Sequence, residues 1–261
     1  VTSEEISRLA AELRQAAKEK QPIPALTERK PDLSIEEAYR IQLENVEMAV
    51  GEGKRIVGKK IGLTSKAMQQ FLGVGEPDYG HLFDSMVWDE EAPVSTGTLL
   101  QPKVEAEIAF VLGEDLQGPG ITLTDVLRAT EGVIPAFEVI DSRIKDWKIK
   151  IQDTIADNAS SAGIVLGSQL VPVDRVNLKH VGLVLEKNGI IVETAAGAAV
   201  MGHPALAVAW LANKLGTMGV PLKKGEIILS GSLTKALEVR AGDLFIAAFG
   251  GLGSVKVLFS D

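Results

Sequence analysis

The chain has 261 residues, 46% of them hydrophobic, with a mean hydropathy of +0.15, a formal net charge of −8 and a pI near 5.1. This length and apolar content suit one large domain or two small ones with a substantial core. The acidic balance argues against nucleic acid and anionic membranes as main partners, and the lack of cysteine excludes disulfides, thiolate metal sites and cysteine nucleophiles. Val1-Thr2-Ser3-Glu4-Glu5 has neither the basic nor the apolar part of a signal peptide, and no apolar run approaches a membrane span, so a cytoplasmic protein is expected.

In chain order, Thr2-x-x-Glu5 predicts a capping box opening a helix in which Ile6, Leu9, Ala10 and Leu13 recur at helical spacing. Pro22, Pro24 and Pro31 interrupt the pattern, and Ser34-x-x-Glu37 opens a second helix through Ala38, Ile41 and Gln42 to about Val50. A helical N-terminal region, residues 1–54, is therefore expected before a β-rich catalytic domain, residues 55–261, the two forming one structural unit. Such a helical pair is expected to act as a cap or an oligomer contact. Residues 56–63 predict a strand carrying Lys59 and Lys60, and 72–80 predict a loop rich in glycine and proline. Further strands are expected over 104–112 and 133–140, separated by a Gly118-Pro119-Gly120 turn and a short helix near 124–131. Residues 141–161 read as a polar, loop-like excursion too long to be an idle connector. Asn188-Gly189 signals a type I′ hairpin between 181–186 and 190–193. His203-Pro204 starts a helix with a broad apolar face, ended by Gly216 and Gly219. Strands over 227–229, 244–249 and 255–259 close the chain. Strands outnumber helices without regular βα alternation, so the expected fold class is α+β, built on a mixed β barrel or roll.

Glu105 and Glu107 lie two apart in an apolar strand, so both carboxylates point to one face. Glu138 stands alone in a second apolar run. Ionised carboxylates in such settings are costly, and three together repel one another. A divalent cation resolves both problems, and hard oxygen ligands without thiolate point to magnesium or manganese. The alternative is that these glutamates lie on the wet face of a half-exposed sheet. Lys60, also in an apolar strand, needs anionic company, which the glutamates can supply; the alternative is a surface lysine with its stem on the sheet. Asp78, in Glu76-Pro77-Asp78-Tyr79-Gly80, is either a structural turn carboxylate or a functional one. Asp157-Asn158-Ala159-Ser160-Ser161 gathers small polar groups of the kind that bind a substrate carboxylate, or else forms a plain turn. His81, His180 and His203 have no ligand spacing and are expected in structural or surface roles. No G-x-S-x-G elbow, P-loop or dinucleotide fingerprint occurs in its required context, which disfavours serine hydrolysis and nucleotide binding.

Several segments converge when taken in order. They are Gly58-Lys59-Lys60-Ile61-Gly62-Leu63-Thr64-Ser65, Glu76-Pro77-Asp78-Tyr79-Gly80, Pro102-Lys103-Val104-Glu105-Ala106-Glu107, Phe137-Glu138-Val139-Ile140-Asp141-Ser142-Arg143, Asp157-Asn158-Ala159-Ser160 and Ser230-Gly231-Ser232. Their order closely resembles the hydratase/decarboxylase branch of the fumarylacetoacetate hydrolase superfamily, over nearly the whole chain. The resemblance implies that Glu105, Glu107 and Glu138 bind Mg²⁺ or Mn²⁺. It also implies that Lys60 is the active-site lysine, that Asp78 serves hydration and that Ser160 holds the oxo-acid end of the substrate. It implies a homo-oligomer; a companion enzyme of the same pathway is a further expected partner. The implied reaction is metal-dependent hydration of 2-hydroxypenta-2,4-dienoate to 4-hydroxy-2-oxopentanoate, in aromatic meta-cleavage catabolism. The rival within the branch is decarboxylation of 4-oxalocrotonate. Its usual pattern has an apolar residue in place of Asp78 and a less polar one in place of Lys59, whereas His203 in Gly202-His203-Pro204 leans towards it. Hydratases of longer dicarboxylic substrates share Glu-Pro-Asp-Tyr-Gly. A non-catalytic partner of a pathway enzyme is the alternative from another class, and retention of every candidate ligand argues against it.

Overall fold

The structure, a computed structural model, describes residues 1–66, 69–70 and 73–261. Helices α1 (Ser3–Glu19), α2 (Leu26–Arg29) and α3 (Ile35–Gly51) open the chain. Thr2 and Ser34 cap α1 and α3 as expected: each hydroxyl accepts the backbone N–H of the glutamate three residues on, whose carboxylate reaches back to the cap's own N–H. Ile6, Leu9 and Leu13 of α1 and Ile41 of α3 bury their faces against Ile144, Ile151 and Ile155. The helical region therefore packs on the segment 144–156.

Thirteen strands, β1–β13 in chain order, make two mixed sheets among the described residues. The first runs β2 (Asp78–Phe83), β1 (Ile56–Gly62), β10 (Ile227–Leu229), β5 (Lys103–Leu112), β6 (Thr130–Ile140), β7 (Ser161–Leu166), β3 (Val87–Trp88), with β11 (Leu237–Glu238) added to β5. The second runs β4 (Val94–Ser95), β13 (Gly253–Ser260), β12 (Leu244–Phe249), β8 (Gly182–Lys187), β9 (Ile190–Ala196). Pairing is antiparallel except for β1 with β10, β3 with β7 and β4 with β13. Helix α4 (Leu123–Ala129) lies near its expected place, and Asn188 (φ 54°) and Gly189 (φ 77°) make the expected hairpin turn.

Alternation along β5 decides which side of the first sheet is core. Val104, Ala106, Ile108 and Phe110 join Phe137 of β6 and Phe245 and Phe259 of the second sheet in one cluster, with the Phe137 and Phe245 rings edge-on at 6.5 Å. The same pleat turns Glu105 and Glu107 to the opposite face. The expected α+β mixed roll is the fold observed.

Two expectations needed correction. Residues 78–80 are not loop but the start of β2, buried along its length and paired with β1; Leu72, at the start of that expected loop, lies outside the described residues. Ladder bonds to β1 outweigh the local turn preference of Pro77-Asp78 and Gly80. The excursion 141–161 is not loop-like throughout, for it holds α5 (Ile151–Ala156). Asp153 builds this short helix by accepting the Lys150 N–H at 2.9 Å, and ties it to α2 by accepting from Thr27 N and Oγ1 at 3.0 and 2.6 Å. The last helix is α6 (Pro204–Gly216), whose entry His203 caps by accepting the Ala205 N–H at 3.1 Å. Among the described residues no helix is long and apolar enough to cross a membrane.

Candidate active site

The register of β5 against β6 puts Glu105 directly opposite Glu138, and Glu107 opposite Ala136. Like charges facing each other across a ladder destabilise it. Here one carboxylate oxygen from each of Glu105, Glu107 and Glu138 lies within 4.8 Å of the others. Glu107 and Glu138 are 1% and 0% exposed and Glu105 is half-buried, so the wet-face alternative does not hold. Glu107 accepts the Gly231 N–H at 2.8 Å, while neither oxygen of Glu138 accepts a hydrogen bond. Lys60, 3% exposed and so not the surface lysine of the alternative reading, holds its Nζ 3.3 Å from Glu138 Oε2 and donates to the Ala159 carbonyl at 2.9 Å.

Burial, reinforced by the Glu138 charge and opposed by Lys60, lifts Glu105 to about 7. Burial and the two neighbouring carboxylates push Glu107 well above the usual carboxylate range, and burial raises Glu138 against the pull of Lys60. Burial alone would lower the Lys60 ammonium, but Glu138, Asp78, Glu105 and Glu107 together outweigh it and hold the lysine charged. One ammonium cannot neutralise this cluster. Hard, partly orphaned carboxylate oxygens without a soft donor fit a divalent cation such as Mg²⁺ or Mn²⁺.

Asp78 flanks Lys60 because β2 pairs with β1, with Gly62 opposite Asp78 and Lys60 opposite Gly80. Both glycines are required by space. A Cβ on Gly62 would stand 2.2 Å from Asp78 Oδ1 and 3.4 Å from Lys60 Nζ, and one on Gly80 would stand 2.4 Å from the Asn158 carbonyl oxygen. Asp78 is buried, and its Oδ1 has no hydrogen-bond partner. Burial raises its pKa, with Lys60, the Thr154 hydroxyl and the Gly62 N–H pulling the other way. Ser160 is buried on the short turn Asn158–Ser160, its hydroxyl 3.5 Å from that of Thr154. The structure thus gathers Glu105, Glu107, Glu138, Lys60 and Asp78 into one buried cluster. Ser160 stands one residue from the carbonyl that holds Lys60. A cavity of about 430 Å³, lined by Tyr39, Val74, Glu76, Pro77, Lys150 and Ile155, opens beside this cluster rather than on it.

Three participants escaped the sequence reading. The Gly231 N–H and the Ala159 carbonyl are main-chain groups that leave no side-chain signal, although Gly231 lies within Ser230-Gly231-Ser232 and takes φ 105°. Thr154 lies on the unanticipated α5. Lys59, on the opposite face from Lys60, is also buried and pairs with Glu226 at 2.7 Å.

Behind the cluster, Gln42 of α3 donates through Nε2 to the Tyr79 and Ile155 carbonyls at 3.0 and 2.8 Å. Its Oε1 is then the acceptor for His81 Nδ1–H at 3.0 Å, which fixes the imidazole tautomer. Burial, with Lys59 adding to it, lowers the His81 ring to about 4. Between pH 6.5 and 4 the unfolded chain therefore binds the proton that the folded chain refuses, so stability falls as pH falls through that window, by at most about 3 kcal/mol. Denaturant melts should show this acid loss in the wild type and a smaller one in His81→Gln; identical slopes would remove His81 as its source.

Comparison with known proteins adds four findings. Residues 45–259 match the family model described as fumarylacetoacetate (FAA) hydrolase C-terminal. The 2-hydroxypent-2,4-dienoate hydratase of Pseudomonas putida is 53% identical over 217 residues, covering 82% of this chain and 97% of that protein. The 2-hydroxyhexa-2,4-dienoate hydratase of Comamonas testosteroni is 47% identical over 251 residues, 95% of each chain. Among solved structures, 4-oxalocrotonate decarboxylase from Pseudomonas putida G7, complexed with magnesium and adipate, superposes with a TM-score of 0.97 at 39% identity, covering 99% of this chain and 98% of that one.

Proposed function

The chain belongs to the fumarylacetoacetate hydrolase family, and from that premise we propose that it is a hydro-lyase adding water to 2-hydroxypenta-2,4-dienoate to give 4-hydroxy-2-oxopentanoate. The observation that carries this reading is Asp78, a buried carboxylate with a free oxygen beside Lys60, in a chain 53% identical to a hydratase of that substrate. Glu105, Glu107 and Glu138 would hold Mg²⁺ or Mn²⁺. When bound, the ion supplies Lewis-acid stabilisation of negative charge on the 2-oxo oxygen. The Lys60 ammonium faces the same developing charge and manages the proton delivered to C5 as the dienol becomes an unsaturated ketone. Asp78 orients water towards C4 and takes its proton as the C–O bond forms and the C3=C4 π pair shifts towards the 2-oxo oxygen; return of a proton to C3 then restores the ketone. The Ser160 hydroxyl holds the oxo-acid end. Burial of Lys60, Asp78, Glu107, Glu138 and Ser160 keeps bulk water from most of the charge in the set.

The second reading, decarboxylation of 4-oxalocrotonate, draws support from the close superposition on a decarboxylase, yet that protein is less similar in sequence than the hydratases. Purified protein should hydrate 2-hydroxypenta-2,4-dienoate and leave 4-oxalocrotonate largely intact when the two are assayed side by side. Release of CO₂ with little hydration would overturn the assignment. In this reading residues 1–54 and 55–261 work as one catalytic unit, which the Gln42 bonds to β2 and α5 support. The setting is a cytoplasmic homo-oligomer of aromatic meta-cleavage catabolism, working beside a companion enzyme. The exposed Ile190 and Ile191 on edge strand β9 and the cysteine-free composition support that setting.

Chelator treatment should abolish turnover, and Mg²⁺ or Mn²⁺ should restore it and raise the melting temperature. Because Glu105 is lifted to about 7 and burial with its neighbouring carboxylates holds Glu107 well above the usual carboxylate range, protons held below neutrality must leave when the metal binds. Metal affinity should therefore rise with pH through 7. Calorimetry in buffers of different ionisation enthalpy would detect the released protons, and buffer-independent heats would contradict the charge state derived above.

A further inference from the structure

We propose that Asn158 is a positioning residue for Lys60, clamping a left-handed turn whose Ala159 carbonyl aims the lysine ammonium. This inference rests on the role given to Lys60 in the proposed function. Asn158, Ala159 and Ser160 have φ of 55°, 49° and 56°, three successive left-handed residues, none of them glycine. Cβ sterics resist that conformation, so it persists only where surrounding contacts impose it. The Asn158 side chain supplies the main one, substituting for a strand partner on β2. Its Oδ1 accepts the His81 N–H at 2.8 Å and its Nδ2 donates to the His81 carbonyl at 2.9 Å. Gly80 leaves the room for this approach, since any Cβ there would collide with the Asn158 carbonyl.

Both flanks of the turn are anchored as well. The Asp157 carboxylate, in a buried ion pair with Arg143, accepts the Arg143 N–H at 2.9 Å. Ser160 N–H donates to the Asp157 carbonyl at 2.9 Å, and Asp141 N–H donates to the Ser160 carbonyl at 2.8 Å. From behind, Gln42 fixes His81 and so the strand segment that Asn158 grips. The consequence falls on Lys60. Ala159 O takes one ammonium hydrogen at 2.9 Å while Glu138 Oε2 lies 3.3 Å away as a charge partner, which leaves N–H capacity for the reacting molecule. A right-handed turn at 158–160 would carry the Ala159 carbonyl away and free the lysine to collapse onto the glutamates. The strain therefore serves pre-organisation of the ammonium.

A double-mutant cycle between Asn158 and Lys60 tests this, read by two reactions. One is hydration of 2-hydroxypenta-2,4-dienoate. The other is deuterium exchange at C3 of 2-oxopentanoate in D₂O, followed by NMR, which needs enolisation but no water addition. Asn158→Ala should lower kcat in both reactions by about tenfold or more, the scale of a displacement of under an ångström, while the metal-induced thermal shift stays within about twofold. Asn158→Gly, which accepts the left-handed φ without strain but lacks the clamp, should show the same kcat loss and guards against a folding defect in the alanine variant. In a Lys60→Ala background, Asn158→Ala should slow exchange no further. An equal penalty with and without Lys60, or unchanged kcat in both single variants, would assign Asn158 a purely structural role. If the wild type exchanges C3 protons but does not hydrate the dienoate, the hydratase assignment fails while the exchange cycle still decides the role of Asn158.

Discussion

Asp78→Asn is expected to keep the fold and the metal while water addition falls by roughly a hundredfold or more, the scale of a lost general acid–base group. The substitution is nearly isosteric, so the Thr154 hydroxyl and the Gly62 N–H keep a neighbour of the same shape. What disappears is the ability to take a proton from water as its oxygen attacks C4. Burial of Asp78 raises its pKa towards the working range of a base, against the pull of Lys60. The residue also has an unpartnered oxygen, Oδ1, so no structural hydrogen bond is lost there. Deuterium exchange at C3 of 2-oxopentanoate should survive in the variant, because enolisation there involves no water addition. The informative result is therefore a split, with exchange retained and hydration lost. Undiminished hydration by Asp78→Asn would remove Asp78 from the reaction.

Lys60→Ala should lower turnover by roughly a thousandfold, within the range for a positioned proton-transfer group. Its effect on stability should depend on metal, and that separates charge balance from chemistry. Removing one partner of a buried ion pair leaves the other uncompensated, typically at a cost of about 3–5 kcal/mol. Here the stranded group is Glu138, 0% exposed and facing Glu105 across the ladder. Metal-free Lys60→Ala protein should therefore melt well below the metal-free wild type, and the gap should narrow when Mg²⁺ supplies the missing positive charge. Thermal melts of both proteins with chelator and with Mg²⁺ measure this directly. An unchanged gap would mean that Lys60 and the ion do not share the same carboxylates.

How far the site could be read in advance depended on whether the signal was local. The i, i+2 spacing of Glu105 and Glu107 states a shared face at once, because the pleat is local. That Glu138 stands opposite Glu105 depends on the β5–β6 register, which no local pattern specifies. Lys60 drew notice as a charge in an apolar strand, and burial beside three carboxylates is where it lies. Pro-Asp and glycine are turn chemistry and locally place Asp78 in a loop, yet pairing with β1 makes it strand. The excursion 141–161 concealed α5, six residues long and too short for helical periodicity to register. It also concealed the left-handed turn, since Asn158, Ala159 and Ser160 carry no glycine to announce it. The capping boxes, the Asn-Gly hairpin and the closing strands were legible because each is set by its own few residues.

The pairing of Glu105 with Glu138 also bears on how the chain reaches its native sheet. Moving β6 by one residue along β5 would turn one of the two strands over, sending its carboxylates into the apolar layer occupied by Val104, Ala106 and Phe137. The ligand set would then be split between the two sides of the sheet, and no single ion could span it. A divalent ion held there would therefore add free energy to one alignment of these strands and not to its neighbours. An ion held by these three carboxylates would in that sense select the native alignment of β5 and β6 over its one-residue neighbours.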